Sequence, residues 1–149
     1  MAKEGLFNIL ENHLTWSEVR ALDLFAGTGN LSYEMASRGC PEVTAVDSYR
    51  DCVRFIQKIA EQLQLPIRTV GEDAMRFVQR NPSRWNIILA DPPYDFAHYP
   101  ALADLALARL TEDGLLVIEH SAATDFKEHP NFTEVRRYGS VHFSFFAAP

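Results

Sequence analysis

The chain has 149 residues, of which 47% are apolar and 23% charged, so it suits one globular domain and excludes a disordered, collagen-like or coiled-coil chain. No apolar run approaches the ~20 residues that span a bilayer, and Met-Ala-Lys-Glu-Gly at the start lacks the order of a signal peptide. The net charge of −6 argues against a nucleic-acid partner, yet residues 50–84 carry seven basic and four acidic side chains, a local excess of +3.

Leu6, Ile9, Leu10 and His13 recur at helical spacing, with no Ser, Thr or Asp ahead of them to cap a helix. Val19–Phe25 then reads as a buried strand, followed by Asp23-Leu-Phe-Ala-Gly-Thr-Gly29 and a helix from near Asn30. Val43–Asp47 is a second strand. Val53, Ile56, Ala60 and Leu63 mark the next helix, and Ser48 with Asp51 three residues on resembles a capping box at its start. Ile67–Val70 is a short third strand. Asp73 is placed to cap a helix through Met75, Phe77 and Val78.

Trp85–Asp91 is a fourth strand, closed by Asp91-Pro-Pro-Tyr94. Leu102, Leu105, Ala106 and Leu110 predict a helix with Pro100 in its first turn, and Gly114–His120 a fifth strand. Glu134–Tyr138 and Val141–Phe146 flank Gly139-Ser140, the pattern of a type II′ hairpin. Near-continuous apolar strands alternating with helices imply a parallel sheet covered on both faces. The expected fold is therefore α/β, a seven-stranded mostly parallel sheet ending in an antiparallel hairpin.

Two loops carry chemistry. Gly27 and Gly29 permit positive φ and close approach of a ligand to free N–H groups at the following helix start. Asp47 closes the second strand 20 residues after Gly27, where a carboxylate accepts both hydroxyls of a ribose. A dinucleotide would bring a pyrophosphate, which Asp23 would repel, and Ser32 stands at the third small position of the dinucleotide fingerprint. S-adenosylmethionine bears an ammonium and a sulfonium and no phosphate, and it suits a site ringed by Asp23, Asp47, Asp73 and Asp91. Asp73 serves either as a helix cap or as an acceptor from the adenine amine, and the two roles can coexist.

In Asp91-Pro92-Pro93-Tyr94 the prolines fix the backbone and supply no N–H. The Asp91 carboxylate and the Pro92 carbonyl then become paired acceptors beside the flat face of Tyr94. That describes a planar group bearing an NH2, held with its lone pair outward for in-line attack on a methyl group, with catalysis by positioning and electrostatics.

These residues resemble the class I S-adenosylmethionine-dependent methyltransferases, a Rossmann-like fold. Within them the chain resembles the RsmD-type family, which methylates the N2 amine of a guanine in small-subunit ribosomal RNA. The likeness runs through Lys3–Leu10, Asp23–Gly29, Glu34–Gly39, Val46-Asp47, Asp73, Asp91–Tyr94, Ile118-Glu119 and Tyr138-Gly139. It implies a cofactor loop of Asp23, Ala26, Gly27 and Gly29, a ribose contact at Asp47, an adenine contact at Asp73, and an amine site at Asp91 through Tyr94. Phe25, Asn30, Ser48 and Ala74, beside these in the chain, complete the expected cofactor set. The target guanine would be flipped out of its stack to reach the site.

Family members carry a basic N-terminal segment with an Arg-Pro-Thr motif ahead of Lys-Glu-x-Leu-Phe. Here Met1 and Ala2 lead directly into Lys3, so Met1 is expected to be an interior helix residue and a preceding segment is expected in the natural protein.

The expected partner is ribosomal RNA or the small ribosomal subunit, reached by a monomer without membrane or metal. The five histidines show no metal spacing with Cys40 and Cys52, and two cysteines make no disulfide framework, so a reducing cytoplasm is the expected compartment. Arg50, Arg54, Arg76, Arg80 and Arg84 are candidates for phosphate contact, or a solvated face. At most one of Arg136 and Arg137 can join them, since neighbours on a strand face opposite ways. Phe96 and Tyr99 either pack the loop after Tyr94 or wall the site. Adenine-N6 methylation, glutamine-amide methylation and a non-catalytic RNA- or cofactor-binding module remain alternatives, whereas a nicotinamide-dependent oxidoreductase conflicts with Asp23.

Overall fold

Along β1 (Arg20–Leu24) and β4 (Trp85–Ala90) nearly every side chain is buried, and the faces alternate. Leu22, Leu24, Ile88 and Ala90 belong to one core; Ala21, Ile87 and Leu89 belong to the other. Period-2 alternation with both faces apolar is what a sheet between two helical layers requires. A computed structural model describes residues 2–149 and contains this sheet. Met1, expected inside a helix, lies outside the described residues.

The remaining strands are β2 (Glu42–Asp47), β3 (Ile67–Gly71), β5 (Leu110–His120), β6 (Phe132–Tyr138) and β7 (Val141–Ala147). Their order is β3-β2-β1-β4-β5-β7-β6, parallel through β5, with β7 and β6 antiparallel. The seven strands and the closing hairpin are as the sequence predicts. At the hairpin Gly139 takes φ +63° while Ser140 stays in the ordinary negative region, which is the type II′ sign pattern.

Helices α1 (Ala2–Glu11) and α2 (Asn30–Ser37) cover one face. Leu6, Phe7 and Leu10 of α1 are fully buried there beside Trp16, Met35 and Phe143. His13, expected in that helix, lies beyond its end and is exposed. Helices α4 (Ala74–Arg80) and α5 (Tyr99–Leu107) cover the other face through Phe77, Val78, Leu102 and Ala106. The long helix α3 (Arg50–Leu63) packs along β2 and β3 and buries Ile56 and Ala60.

Two local expectations are corrected. Ser48 and Asp51 form no capping box: Tyr49 is the N-cap of α3 without a side-chain bond, and its N–H is taken by Asp47 Oδ1 at 2.8 Å. Leu110 is not helical. The Arg109 guanidinium donates to the carbonyls of Val78 and Gln79, closing the turn after α5, and Leu110 then pairs with Trp85 as the first residue of β5.

Candidate active site

The strand order reverses between β1 and β4, since β1 continues to β2 on one side and β4 to β5 on the other. Ligands of open α/β sheets bind in the crevice at the carboxyl ends of such strands. The two chemistry-bearing loops of the sequence are the ones that leave β1 and β4 here. They are tied together: Asp91 N–H donates to Leu24 O at 3.3 Å, and the rings of Phe25 and Phe96 meet edge-on at 5.3 Å.

The β1 loop is wound tightly. Phe25 has φ +60°, uncommon for a bulky residue and a mark of local strain at functional sites. Gly29, at φ +91°, is the N-cap of α2, and a Cβ there would meet Tyr33 and Ile56 at 2.8–2.9 Å. Ala26 N–H donates to Val46 O at 2.9 Å, and Gly27 N–H to Asp47 Oδ2 at 2.8 Å. The Asp47 carboxylate thus holds the β1 loop with one oxygen and the start of α3 with the other.

Asp23 is buried on β1. Its Oδ2 accepts from the Ser32 hydroxyl at 2.6 Å, while Oδ1 has no partner among the described residues. Burial pushes its carboxyl up to about 7; the Ser32 hydroxyl opposes this, and the charges of Asp91 and Asp47 add to it. A buried acceptor without a donor is costly unless a ligand supplies one.

At β3, Asp73 caps α4 by accepting from Arg76 N–H at 3.1 Å, with Ala74 buried behind it. Asn30 and Ser48 are exposed beside their loops.

At β4, Pro92 is buried, whereas Asp91, Pro93 and Tyr94 are exposed, Tyr94 completely. Ala90 pairs with Ile118, so Asp91 and Glu119 emerge side by side from adjacent parallel strands. The two carboxyls are hydrogen-bonded. Partial loss of water around its carboxyl raises Asp91 above the usual carboxylate range, and burial with the Asp91 charge pushes Glu119 up to about 7, so the pair is driven toward sharing a proton. With Pro92, Tyr94, Tyr99, Ser140 and Val141 they line a pocket of ≈ 360 Å³. Sequence reasoning assigns no role to Glu119. Its place beside Asp91 depends on the β4–β5 register, which no local motif reveals.

Phe96 packs the loop, edge-on to Phe25 and to Tyr99, whereas Tyr99 reaches the pocket wall. Among the arginines considered for phosphate, Arg80 is ion-paired with Glu72, and Arg84 donates to Ala108 O and Leu110 O. Arg50, Arg54 and Arg76 are exposed. Arg136 lies 3.4 Å from Glu134.

A family model described as "Conserved hypothetical protein 95" matches residues 1–147. The chain belongs to this family. A Bacillus subtilis protein named "Putative rRNA methyltransferase YlbH" is 30% identical over 133 residues, covering 85% of this chain and 71% of that protein. "Ribosomal RNA small subunit methyltransferase D" of Haemophilus influenzae is 29% identical over 119 residues, 76% of this chain and 58% of that protein. The chain therefore spans little more than half of the latter relative. The resemblance to RsmD-type methyltransferases read from the motifs is borne out, and this is a methyltransferase by family. The fold also matches a Thermus thermophilus 16S rRNA N2 G1207 methyltransferase (RsmC), solved in complex with AdoMet and guanosine. The TM-score is 0.79 at 22% identity, over 97% of this chain and 42% of that one. The Rossmann-like expectation stands.

Proposed function

We propose that the chain transfers a methyl group from S-adenosylmethionine to the exocyclic N2 amine of a guanine in small-subunit ribosomal RNA. The observation that carries this reading is the adjacency of two unlike sites at the β1/β4 switch point. One is a glycine loop backed by Asp23 Oδ1, which lacks a partner among the described residues; the other is the Asp91–Tyr94 motif opening on a pocket.

The residues fit the cofactor. Asp23 Oδ1 offers a buried acceptor to an ammonium, Asp47 stands at the end of β2 for ribose hydroxyls, and Asp73 with Ala74 borders the adenine side. When bound, S-adenosylmethionine supplies an electrophilic methyl group on a sulfonium. Asp91 and the Pro92 carbonyl accept the two amine hydrogens and hold the lone pair outward. Tyr94 stacks on the base, a contact worth ~1–3 kcal/mol. No strong base is required, because the methylated aminium is acidic, and Asp91 receives its proton. The names of the rRNA methyltransferase relatives, and the AdoMet and guanosine of the Thermus complex, support the substrate class. Arg50, Arg54 and Arg76 are the exposed cations offered for phosphate contact.

The test is transfer of labelled methyl from the cofactor to separated RNA, DNA and protein, followed by nucleoside analysis. Label in N2-methylguanosine is expected; label only in protein, or only in N6-methyladenosine, overturns the reading. Asp91→Ala is expected to bind the cofactor with near-normal affinity and to transfer nothing.

A further inference from the structure

We propose that Glu119 is the residue that selects the base: its carboxyl oxygen accepts the N1–H of guanine while Asp91 accepts from the adjacent N2 amine. This inference rests on the proposed function and assigns a role to a residue outside the Asp91–Tyr94 motif.

The geometry begins with register. Ala90 and Ile118 are paired in parallel, so the next residues, Asp91 and Glu119, point the same way from neighbouring strands. Both line the pocket that Tyr94 and Tyr99 flank, and their carboxyls touch. A planar base stacked on Tyr94 with its amine at Asp91 therefore presents its neighbouring ring edge to Glu119. In guanine the atom beside the N2 amine along that edge is N1–H, a donor. In adenine the atom beside the N6 amine is N1 without hydrogen, an acceptor. A row of acceptors suits the first and repels the second.

The protonation of the pair does not defeat this. When Glu119 carries the shared proton, its hydroxyl donates to Asp91 and its carbonyl oxygen still faces the base. When it is ionised, either oxygen accepts. The groups around it in the pocket are Asp91 on β4, Tyr99 on α5 and His120 on its own strand, its partner on β7 is the apolar Phe143, and the described residues place no Lys or Arg in the pocket's lining. No cation of that lining competes for the Glu119 oxygen.

The test compares guanosine with 2-aminopurine riboside, which keeps the amine but lacks the N1 hydrogen. Dissociation constants are measured by NMR titration on protein saturated with S-adenosylhomocysteine. The wild type is expected to prefer guanosine by about 10- to 100-fold, the range of one hydrogen bond to a charged or charge-sharing group. Glu119→Ala is expected to lose that preference by weakening guanosine alone. Glu119→Gln keeps both an oxygen acceptor and a donor toward Asp91, and is expected to restore it. Unchanged affinity for S-adenosylhomocysteine reports that each variant is folded.

Equal weakening of both nucleosides in Glu119→Ala, an unchanged ratio, or no guanosine binding by the wild type overturns the assignment. If the wild type still places label on guanine N2 in ribosomal RNA while the nucleoside ratio does not move, the proposed function stands and only the role of Glu119 falls.

Discussion

The Asp47 carboxylate accepts from Gly27 N–H and from Tyr49 N–H, each at 2.8 Å, so one side chain ties the β1 loop to the start of α3. Asp47→Ala removes both bonds. It is expected to cost about 1–2 kcal/mol of stability, since the group is only half-buried, and to raise the cofactor dissociation constant by more than the loss of a ribose contact alone. Asp47→Asn keeps one acceptor and should fall between. Calorimetric titration with S-adenosylmethionine alongside thermal melts checks both effects.

Asp23 predicts a pH dependence. Its carboxyl sits near 7 in the folded chain against an ordinary 3.8. Between those values the unfolded chain has released a proton that the folded chain keeps. The stability this contributes is thus fully present below about pH 4 and declines as pH rises toward 7. Glu119 acts in the same direction. Asp23→Asn should flatten part of the slope in urea melts recorded across that interval; an unchanged slope contradicts the assignment. An ammonium at Oδ1 would favour the ionised form, so cofactor binding near pH 6 should release protons, seen as a buffer-dependent binding enthalpy.

Tyr94 is fully exposed. Tyr94→Ala should therefore leave the melting temperature almost unchanged, while kcat/KM on RNA falls by roughly 5- to 150-fold, the equivalent of ~1–3 kcal/mol of stacking. Tyr94→Phe should retain most activity. A large loss of stability in the alanine variant would mean that the ring packs inside the protein instead.

Phe7 sits between α1 and the sheet, its ring 5.9 Å from that of Trp16 and 5.1 Å from the Arg38 guanidinium. Phe7→Ala should cost about 3–5 kcal/mol in denaturant melts. A loss below about 0.5 kcal/mol, the level of a surface change, would mean that α1 is only loosely docked.

The parts of this architecture legible in the sequence are those whose physics is local. Leu22-Asp23-Leu24 and Ile87-Ile88-Leu89 announce buried strands because every position is filled. The glycine loop and Asp91-Pro92-Pro93-Tyr94 announce themselves because their backbones need those residues. Leu110 misleads because it continues a helical spacing, whereas contacts distant in sequence, Arg109 to the carbonyls of α4 and Leu110 to Trp85, commit these residues to the turn and the sheet. Ser48 misleads because the helix starts one residue later: Asp47 holds the Tyr49 N–H, and Tyr49, whose side chain makes no capping bond, becomes the N-cap. Glu119 carries no signal because its neighbour across the sheet lies 28 residues away in sequence. Asp23 reads as a residue facing the cofactor, yet its solitary oxygen is visible only once Ser32 is seen to occupy the other.

The late strand β7 lies between β5 and β6, its residues Val141–Ala147 bonded to both. As the chain is synthesised, β5 therefore offers an open edge from the moment His120 emerges until the last residues follow. Leu115, Leu116, Val117 and Ile118 on that edge are an invitation to pair with another chain. Folding of the sheet waits on its final strand, and a chain halted at Tyr138 is expected to aggregate instead of forming a smaller stable domain.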